Sequence, residues 1–437
     1  MTMLEWARTP ICWQEFLEYK IARDHLTKAE EKKLRSFVEN QAYVPLCEAW
    51  ERGEFPRRLP IRRQINKIGT SKKRIVYSFE GEEGIFLKFI AFRLFCYDGC
   101  FSKNCYAFRR SLGVKDAIRR LRLQKDLLEK YSLKIDVSDY FNSIPTEKLL
   151  LQLKEVCGED AMLFSLFQKI LGEKRVRDGE RKDHILIEEH GAMAGIPIAP
   201  FFANIYLRDV DYYFEERKIM YFRYSDDILL FADSEGELEL YKEMLYEKLA
   251  EKNLSVNPQK VSVSLPGQPF TFLGFAYKEG KIDLADITIA KMKGKIKRKA
   301  DALRRWQRKK GLSPENAAAG LIHAMNIKFF GRQKEETLTT DLQSVIDENV
   351  NDFSDFTWSR WFFPNLTTVK GLKELDSYFQ EYIRYTVTGR HYKGNYRITY
   401  NMMKEWGYRN LVHEYYKYME VEKNGHGDIA LDSESAF

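Results

Sequence analysis

The sequence predicts an α+β protein, with short strands concentrated in its first two-thirds and helices in most of the remainder. Two apolar runs, residues 221–224 and 228–232, have the pattern of adjacent strands. Between them lie the neighbouring acids Asp226 and Asp227, which a hairpin turn would hold at the edge of a sheet. From residue 286 onwards, basic and then aromatic residues predict helices.

The elements before this hairpin begin with residues 1–54, whose apolar stripes predict an N-terminal helical extension. Two strands joined by a turn are predicted over 61–77, followed by a buried helix at about 83–95. The core strand predicted at 131–138 contains Asp136, an acid where a buried apolar residue is expected. A charge at that position requires a partner.

The segments on either side of the hairpin are less regular. A charged connection is predicted over 172–190, then a Gly and Pro loop at 191–200 and a long helix at 201–213. After the hairpin, Ser234 can cap a helix and Asn257 opens another strand.

The distribution of charge indicates a polyanionic partner. The chain of 437 residues is 44% hydrophobic and has a formal net charge of +7. Residues 56–78 contain eight lysines or arginines and no acid, and residues 291–310 contain eleven, with Asp301 as the one acid. Two separate basic segments predict that a polyanion is bound from two sides. Two solvated helical faces are the weaker alternative, since acidic partners at helical spacing are missing.

Cysteine spacing and hydropathy exclude several protein classes. The six cysteines form no Cys-x-x-Cys pair, so neither a disulfide framework nor a zinc ribbon is predicted. The sequence has no run of about 18 apolar residues, and its N-terminus lacks the pattern of a signal peptide. We therefore expect a cytoplasmic protein without membrane association.

Three acids are candidates for one site, because Asp136 ends a predicted strand and Asp226 and Asp227 follow on the hairpin. Adjacent carboxylates raise each other's pKa and need a positive charge nearby, which a divalent metal commonly supplies. Such acids are the ligands of two-metal phosphoryl-transfer sites. For the hairpin pair alone, a solvated Asp-Asp turn is an equally good interpretation.

Several short motifs, in the right order along the chain, resemble those of reverse transcriptases. Residues 136–141 resemble motif A, residues 195–207 resemble motif B, and residues 224–227 resemble motif C. The resemblance spans roughly residues 55 to 280 and includes three lesser matches: motif D at Asn257 and Lys260, motif E at 272–275 and the bacterial finger motif at 101–109.

This resemblance implies a role for each matching residue. Asp136, Asp226 and Asp227 would be the catalytic acids that bind two Mg²⁺ ions, or Mn²⁺, with Val137 as a further metal ligand. Phe141 would be the steric gate that excludes a ribose 2′-hydroxyl; an ordinary core phenylalanine is the alternative. The other residues implied to bind the incoming nucleotide are Lys67, Arg74, Asp139, Tyr140 and Lys260. Those implied to bind template or RNA are Arg62, Arg63, Arg109, Gly195, Pro197, Lys295, Arg298, Arg304 and Arg305.

One departure from the family concerns motif B. Where many bacterial reverse transcriptases have Gly-x-Pro-Gln-Gly, residues 191–195 are Gly-Ala-Met-Ala-Gly, so Met193 and Ala194 replace the Pro-Gln pair. The resemblance therefore leaves open how the template base opposite the incoming nucleotide is supported.

The resemblance also implies the arrangement of a right-hand polymerase. Fingers and palm would be built from antiparallel sheet and helices, and the thumb would be mainly helical. On this basis the chain divides into a helical extension at 1–54, fingers at 55–130, palm with finger insertions at 131–285, a basic and aromatic thumb or C-terminal domain at 286–420, and a flexible tail at 421–437.

Residues 407–416 and the overall layout resemble the defence-associated bacterial reverse transcriptases of the unknown groups. This resemblance implies an RNA-directed DNA polymerase that uses deoxynucleoside triphosphates to copy a structured noncoding RNA into complementary DNA, in defence against phage. Two alternatives stay open: an RNA-binding scaffold with incidental polymerisation, and a retron-like or group II intron-like enzyme acting in retroelement function or repair. The template, the primer, accessory proteins and the oligomeric state, including a homo-oligomer, are not predicted.

Overall fold

The computed structural model describes residues 1–23, 26–66, 73–124, 126–181, 184–331 and 357–425. The chain separates into two compact units, Met1–Gln268 and Pro269–Phe437. Two four-stranded sheets with many helices make up the first unit, and a three-stranded sheet followed by helices makes up the second. The predicted α+β class is confirmed. The finer division into fingers, palm and thumb at the stated boundaries stays a prediction.

The described part of the first unit has twelve α-helices and eight strands. The helices are α1 (Met3–Arg8), α2 (Pro10–Arg23), α3 (Lys28–Glu39), α4 (Val44–Glu51), α5 (Gly81–Arg93), α6 (Val114–Arg122), α7 (Tyr140–Ser143), α8 (Thr146–Cys157), α9 (Ala161–Gly172), α10 (Ala199–Tyr206), α11 (Arg208–Glu216) and α12 (Glu235–Glu251). The strands are β1 (Ile61–Asn66), β2 (Lys73–Ser78), β3 (Tyr131–Asp136), β4 (Arg175–Asp178), β5 (Ile185–Ile187), β6 (Met220–Tyr224), β7 (Asp227–Ala232) and β8 (Ser262–Ser264).

One antiparallel sheet, in the order β6-β7-β3-β8, holds the predicted acids. Strand β7 is central, and its residues Ile228, Leu229 and Leu230 are fully buried. A strand whose side chains are covered on both faces needs apolar residues at consecutive positions, which explains the continuous apolar run. The predicted hairpin around Asp226 and Asp227 is therefore confirmed as β6 and β7.

The other sheet of this unit has the order β2-β1-β4-β5. Strands β1 and β2 form the predicted basic hairpin, and β4 pairs with β1 in parallel, with Ile61 opposite Arg177. The charged connection predicted over 172–190 contains two strands, β4 and β5, that were not predicted. Both strands are short, and Val176 is the one fully buried side chain of β4, so their apolar pattern is too brief to read.

The N-terminal helices belong to the core of the first unit. The ring of Trp13 stacks on Tyr43 at 4.7 Å and on Phe89 at 3.9 Å between centroids. The indole of Trp50 packs edge-on against Phe86 and donates a hydrogen bond to the Met162 carbonyl. Large buried aromatic contacts of this kind fix α2, α4 and α5 against one another.

The second unit consists of one sheet followed by helices. Its three-stranded antiparallel sheet has the order β11-β10-β9. Its described elements are β9 (Phe270–Phe272), β10 (Phe275–Lys278), β11 (Lys281–Leu284), α13 (Asp286–Lys310), α14 (Pro314–Phe330), α15 (Trp358–Phe362), α16 (Lys370–Thr388), α17 (Tyr400–Glu405) and α18 (Leu411–Gly425). Helices α13, α14 and α16 pack on one another to form its core.

Candidate active site

The turn between β6 and β7 consists of Ser225 and Asp226, with Tyr224 opposite Asp227 in the register. Ser225 has a φ of +61°, and its side chain is buried. Positive φ at the first turn position is typical of two-residue hairpins, where glycine or asparagine usually supplies it. A serine there requires support from the surrounding structure.

The same register brings the third acid to this turn. Asp136, the last residue of β3, lies directly opposite Asp227. The backbone N–H of Val137 donates to the carbonyl of Asp226 at 3.1 Å, and that of Asn257 donates to the carbonyl of Asp136 at 2.9 Å. The structure therefore brings the backbones of Asp136, Asp226 and Asp227 together where β3 ends and β7 begins.

Asp226 lies where negative charge is unfavourable. Burial raises its pKa, and the Asp136 carboxylate adds to the rise. The positive charges of Arg74 and Lys260 act in the opposite direction. Lys260 Nζ lies 2.5 Å from Asp136 Oδ2 and thus supplies a positive charge directly at the site.

The pKa of Asp227 is raised as well. Burial raises its pKa to about 6, while Lys134, 3.8 Å away, opposes the rise and the carboxylates of Asp226 and Asp136 contribute to it. Three acids that interact through their charges at the edge of a sheet form a strongly negative centre once all are ionised. Such a centre attracts cations.

The donor set fits the metal that the resemblance implies. Within the described residues, no three His, Cys, Asp or Glu side chains already form a metal-binding group. One oxygen of Asp136 is taken by the Lys260 ammonium. Magnesium, however, is usually held by one or two carboxylates together with water and substrate phosphates, so a complete protein cage is not required. The metal assignments of Asp136, Val137, Asp226 and Asp227 stay predictions.

Phe141 follows Asp136 by five residues and is half-buried. Its ring contacts Tyr140 at 5.7 Å and Phe108 at 6.3 Å between centroids. Phe108 also approaches Tyr224, at 6.4 Å, and has a positive φ of +55°. These ring contacts therefore connect Phe141 through Phe108 to Tyr224, whose backbone pairs with Asp227. Phe108 was not predicted as a site residue, although it lies within the finger motif.

The two residues before Phe141 are placed differently. Tyr140 is buried, and its hydroxyl donates to the Ala203 carbonyl at 2.5 Å, so its side chain supports the fold. Asp139 is exposed in the left-handed region at φ +41° and accepts a bond from Asn142 Nδ2 at 3.2 Å. Their predicted contact with nucleotide stays a prediction.

The loop predicted as motif B passes close to this edge. The backbone of Ala192 donates to the Phe141 carbonyl at 2.7 Å, and a Cβ at Gly191 would lie 2.4 Å from that oxygen. Gly195, at φ +104°, leaves no room for a side chain because a Cβ would meet Tyr77 O at 2.8 Å. Glycine is thus required at both positions.

The departure at Met193 has a structural explanation in part. Met193 has a φ of +55°, and its side chain is fully buried. The backbone of Tyr77 donates to the Ala194 carbonyl at 2.7 Å, which ties this loop to β2. Pro197 follows as a half-buried residue. The fully buried Met193 side chain packs inside the protein and so holds the loop in place. It is not exposed to a template base.

Some basic residues of the β1–β2 hairpin form ion pairs within the protein, whereas Arg74 is exposed to solvent. Arg62 pairs with Glu188 at 3.0 Å, and Arg63 pairs with Glu80. Arg74 is exposed, and its charge acts on Asp226. Lys67 lies outside the described residues.

Arg109 is fully engaged within the protein. Its guanidinium donates to the Asp98 side chain at 3.0 Å and to the carbonyls of Asp98, Ser102 and Cys105 at 2.8, 2.8 and 3.2 Å. Only 7% of the side chain is exposed. These bonds give Arg109 the role of fixing the finger motif, and a contact with template stays a prediction.

A buried ion pair lies directly behind the acidic turn. Arg223, in β6, donates through Nε to Asp211 Oδ1 at 2.7 Å and through Nη2 to Asp211 Oδ2 at 2.5 Å. Both side chains are completely buried, and Tyr221 donates a further bond to Asp211 at 3.0 Å. Such a bidentate pair has a defined geometry.

The remaining bonds of Arg223 reach the turn and its neighbours. Its Nη1 donates to the Ser225 carbonyl at 3.2 Å and to Asn204 Oδ1 at 3.3 Å, and its Nη2 contacts Cys105 Sγ at 3.1 Å. Its backbone also pairs with Asn104 and Tyr106. Arg223 was not predicted as a site residue. The signal was an arginine in an apolar strand, one residue from the turn.

The predicted RNA-binding residues of α13 belong to the second unit and differ in exposure. Arg298 and Arg305 are exposed. Arg304 is half-buried, and its Nη1 donates to Gln307 and to the Thr386 carbonyl at 3.1 and 3.3 Å. Lys295 is half-buried.

Comparison with known proteins agrees with the geometry of the acidic site. Residues 71–277 match the family described as "Reverse transcriptase (RNA-dependent DNA polymerase)". These residues are thus similar to reverse transcriptases. The matched residues include all three acids, the loop at 191–197 and Lys260, and the match supports the predicted enzyme class.

Part of the chain is also similar to a curated bacterial protein. The chain is 23% identical over 170 residues to the Retron Ec86 reverse transcriptase of Escherichia coli. The match covers 38% of this chain and 48% of the relative, so the chain spans about half the length of the curated relative that it matches.

Solved structures of telomerase are similar at low identity. The telomerase of Candida albicans in complex with a fragment of telomeric RNA is 13% identical, with a TM-score of 0.40, over 80% of this chain and 62% of that chain. The apo telomerase of Candida tropicalis has 12% identity and a TM-score of 0.42, over 79% and 67%. Separately, no helix in the described ranges is long and apolar enough to span a membrane.

Proposed function

We propose that this protein is an RNA-directed DNA polymerase that joins deoxynucleotides at the three acids in the β6-β7-β3-β8 sheet. The observation that carries the proposal is the register of β3 and β7, which places Asp136 opposite Asp227 and beside Asp226. The match of residues 71–277 to the reverse transcriptase family supports the same activity.

In nucleotidyl transfer, the acids would bind metal ions and their basic neighbours would bind phosphate. Asp136, Asp226 and Asp227 would hold divalent ions, which lower the barrier by activating the primer 3′-hydroxyl and stabilising the leaving pyrophosphate. Arg74 would neutralise the triphosphate from the open side of the hairpin. Lys260, bonded to Asp136 in the free protein, would be released towards phosphate when a cation takes its place.

Selection of deoxynucleotides would depend on Phe141. Its half-buried ring follows Asp136 by five residues and contacts the rings of Tyr140 and Phe108. A bulky ring held in this way leaves no space for a 2′-hydroxyl on the incoming sugar. The backbone bond from Ala192 to the Phe141 carbonyl keeps the gate attached to the motif B loop.

The finer proposal is that the template is a structured noncoding RNA, copied into complementary DNA in the cytoplasm as part of defence against phage. The exposed Arg298 and Arg305 of α13 support binding of an RNA backbone. The similarity to a retron reverse transcriptase favours a second candidate, a retron-like enzyme of a retroelement.

A primer-extension assay with purified full-length protein, an RNA template and Mg²⁺ tests the activity. Asp226→Asn should reduce extension to background, because a ligand for the divalent ion is lost. Asp233→Asn is the matched control: this exposed acid follows the other end of β7 and pairs with Lys130. Equal extension by wild type and Asp226→Asn would contradict the proposal.

A phage-infection assay separates the polymerase from the scaffold alternative. In cells that carry the gene, Asp226→Asn should abolish protection while the RNA still copurifies with the protein. Unchanged protection by that variant would favour an RNA-binding scaffold. Sequencing the copurified RNA and DNA would distinguish a defence-associated enzyme from a retron-like one.

A further inference from the structure

The second unit carries a surface segment, residues 382–404, in which tyrosines are interleaved with basic residues. The segment contains five tyrosines, five lysines or arginines and no aspartate or glutamate. Acids flank it at Glu381 and Glu405, and Glu381 pairs with His391 at 2.8 Å. Its net positive charge is therefore local, whereas the whole chain is nearly balanced.

Three of the tyrosines present their rings to solvent. Tyr396 is 73% exposed, Tyr392 is 49% exposed and Tyr400 is 37% exposed. Core packing, the usual reason for an aromatic residue in a helical unit, does not account for side chains this open. By contrast, Tyr382 is 8% exposed and packs within the unit.

Basic side chains accompany the open rings. The guanidinium of Arg384 lies over the ring of Tyr396 at 5.0 Å, and Lys404 Nζ lies 5.1 Å from the centre of the Tyr400 ring. Arg390 and Arg397 are exposed nearby in the segment. Aromatic faces next to cations suit a ligand that has both flat bases and phosphates.

The segment is held in a defined conformation by its buried members. Asn395 is buried, and its Nδ2 donates to the Arg390 carbonyl at 2.6 Å. The backbone of Ile398 donates to the Asn395 carbonyl at 3.0 Å, and Arg384 Nε donates to the Ile398 carbonyl at 3.2 Å. Rings on a fixed loop lose little freedom on binding, which favours a ligand that stacks on them.

We propose that the tyrosine and arginine segment 382–404 binds single-stranded RNA, with bases stacked on Tyr392 and Tyr396 and phosphates against Arg390 and Arg397. Stacking on open ring faces requires unpaired bases, so a duplex is excluded. RNA is the expected strand because the inference rests on the proposed function, in which RNA is the template. The segment would hold template outside the first-unit site.

Binding of a short unstructured RNA containing 2-aminopurine, by full-length protein without nucleotides, tests this assignment. Stacking on a tyrosine should quench the 2-aminopurine fluorescence. Tyr396→Ala and Tyr392→Ala should each weaken binding at least about fivefold and lose quenching, because a stacked base is lost. Tyr396→Phe should retain both, since the ring face remains.

Two further variants complete the design. Tyr416→Ala is the matched control, because Tyr416 is 53% exposed on α18 but lies between the acids Glu414 and Glu420. It should bind RNA as the wild type does. Arg397→Gln should lower the slope of log affinity against log salt by about 0.7, the value for one lost phosphate contact on a single strand.

Several outcomes would overturn the inference. They are wild-type affinity in both alanine variants, an equal loss in Tyr416→Ala, a loss in Tyr396→Phe as large as in Tyr396→Ala, and equal or tighter binding of the DNA strand of the same sequence. None of these depends on polymerisation. A wild-type protein that fails to extend primers would contradict the proposed function instead.

Discussion

The side chain of Arg223 donates to four separate parts of the first unit: Asp211, Asn204, Cys105 and the carbonyl of Ser225. Through the last of these bonds it holds the turn that carries Asp226. Ser225 has a positive φ that is unusual for a serine, and a fixed donor behind its carbonyl supports that conformation. Arg223 is thus a positioning residue for the acidic turn.

Arg223→Met is expected to destabilise the first unit by about 3–5 kcal/mol, because Asp211 is left as an unpaired buried charge. Urea denaturation measures the loss. The double variant Arg223→Met with Asp211→Leu should recover most of the stability, since buried pairs are often replaceable by apolar residues. Primer extension should stay impaired, because the Ser225 carbonyl has lost its donor. Recovery of extension together with stability would show that Arg223 acts on stability alone.

Replacement of Phe141 by alanine should admit ribonucleotides. Removing the ring opens the space that a 2′-hydroxyl needs, so the ratio of ribonucleotide to deoxynucleotide incorporation should rise, while extension with deoxynucleotides persists. Single-nucleotide extension with each triphosphate measures the ratio. Phe108→Ala, which removes a neighbouring ring 6.3 Å away, should have a smaller effect. An unchanged ratio in Phe141→Ala would assign this ring to packing.

Asp227 predicts a pH-dependent trade-off between stability and activity. Its pKa is raised to about 6 in the folded protein, above the usual value near 4 for an unfolded chain, so ionisation at neutral pH opposes folding. In metal-free protein, Asp227→Asn should therefore raise the thermal midpoint at about pH 7 and have little effect at about pH 3, below both pKa values, where the acid is mostly protonated in both states. Primer extension should fall. A midpoint shift that is the same at both pH values would contradict the assignment.

At the scale of elements, α13 combines a packing role with an open basic face. Ile289, Met292, Ile296, Ala300 and Leu303 are buried, so its apolar residues are used by the fold. The predicted basic helix is confirmed as an element, whereas its RNA contacts stay a prediction.

The exposed Arg298 and Arg305 of α13 should contribute more to RNA affinity than Arg304, which is hydrogen-bonded within the protein. Arg298→Gln and Arg305→Gln should each reduce the salt dependence of RNA binding by about one phosphate contact. Arg304→Gln should instead lower stability, because Arg304 donates to the Thr386 carbonyl. Affinity at several salt concentrations and thermal denaturation separate these effects. Identical behaviour of all three variants would contradict the distinction.

The last described helix, α18, depends on one buried carboxylate of α16. Asp376 accepts bonds from the Tyr408 hydroxyl at 2.8 Å and from the backbone of Leu411 and Val412 at 2.9 and 3.1 Å. Asp376→Ala leaves these donors unpaired, at a cost of at least about 1–3 kcal/mol. Faster hydrogen exchange in α18 would measure the loss. Glu374→Ala, which removes only an exposed ion pair, should leave exchange unchanged.

For the molecule as a whole, sequence patterns were sufficient wherever one short segment contained the information. The hairpin at Asp226 and Asp227 and the strand ending at Asp136 were predicted because apolar runs bounded by polar turns are legible locally. Their convergence followed from the motif order of a known family. Their pairing register, which decides the distances, came from the structure.

Other features were not predictable because they depend on contacts between distant residues. Strand β4 is charged and β5 has only three residues; β4 forms by pairing with β1, and β5 forms by pairing with β4. The side chains that Arg223 bonds, Asp211 and Asn204, lie 12 and 19 residues away on α11 and α10. Arg109 was predicted to bind template, and the side-chain bonds that the structure gives it go to Asp98, Ser102 and Cys105 within the protein. Charge in a sequence does not reveal whether it is already neutralised.

The order of strands β6-β7-β3-β8 also has a consequence for synthesis of the chain. Strand β3 leaves the ribosome first, but both of its neighbours, β7 and β8, are translated about a hundred residues later. Pairing over such long separations is slow to nucleate, and it cannot start before the partner strands exist. Asp136 therefore stays apart from Asp226 and Asp227 on the nascent polypeptide. A growing chain remains inert towards nucleotides until nearly the whole first unit has emerged.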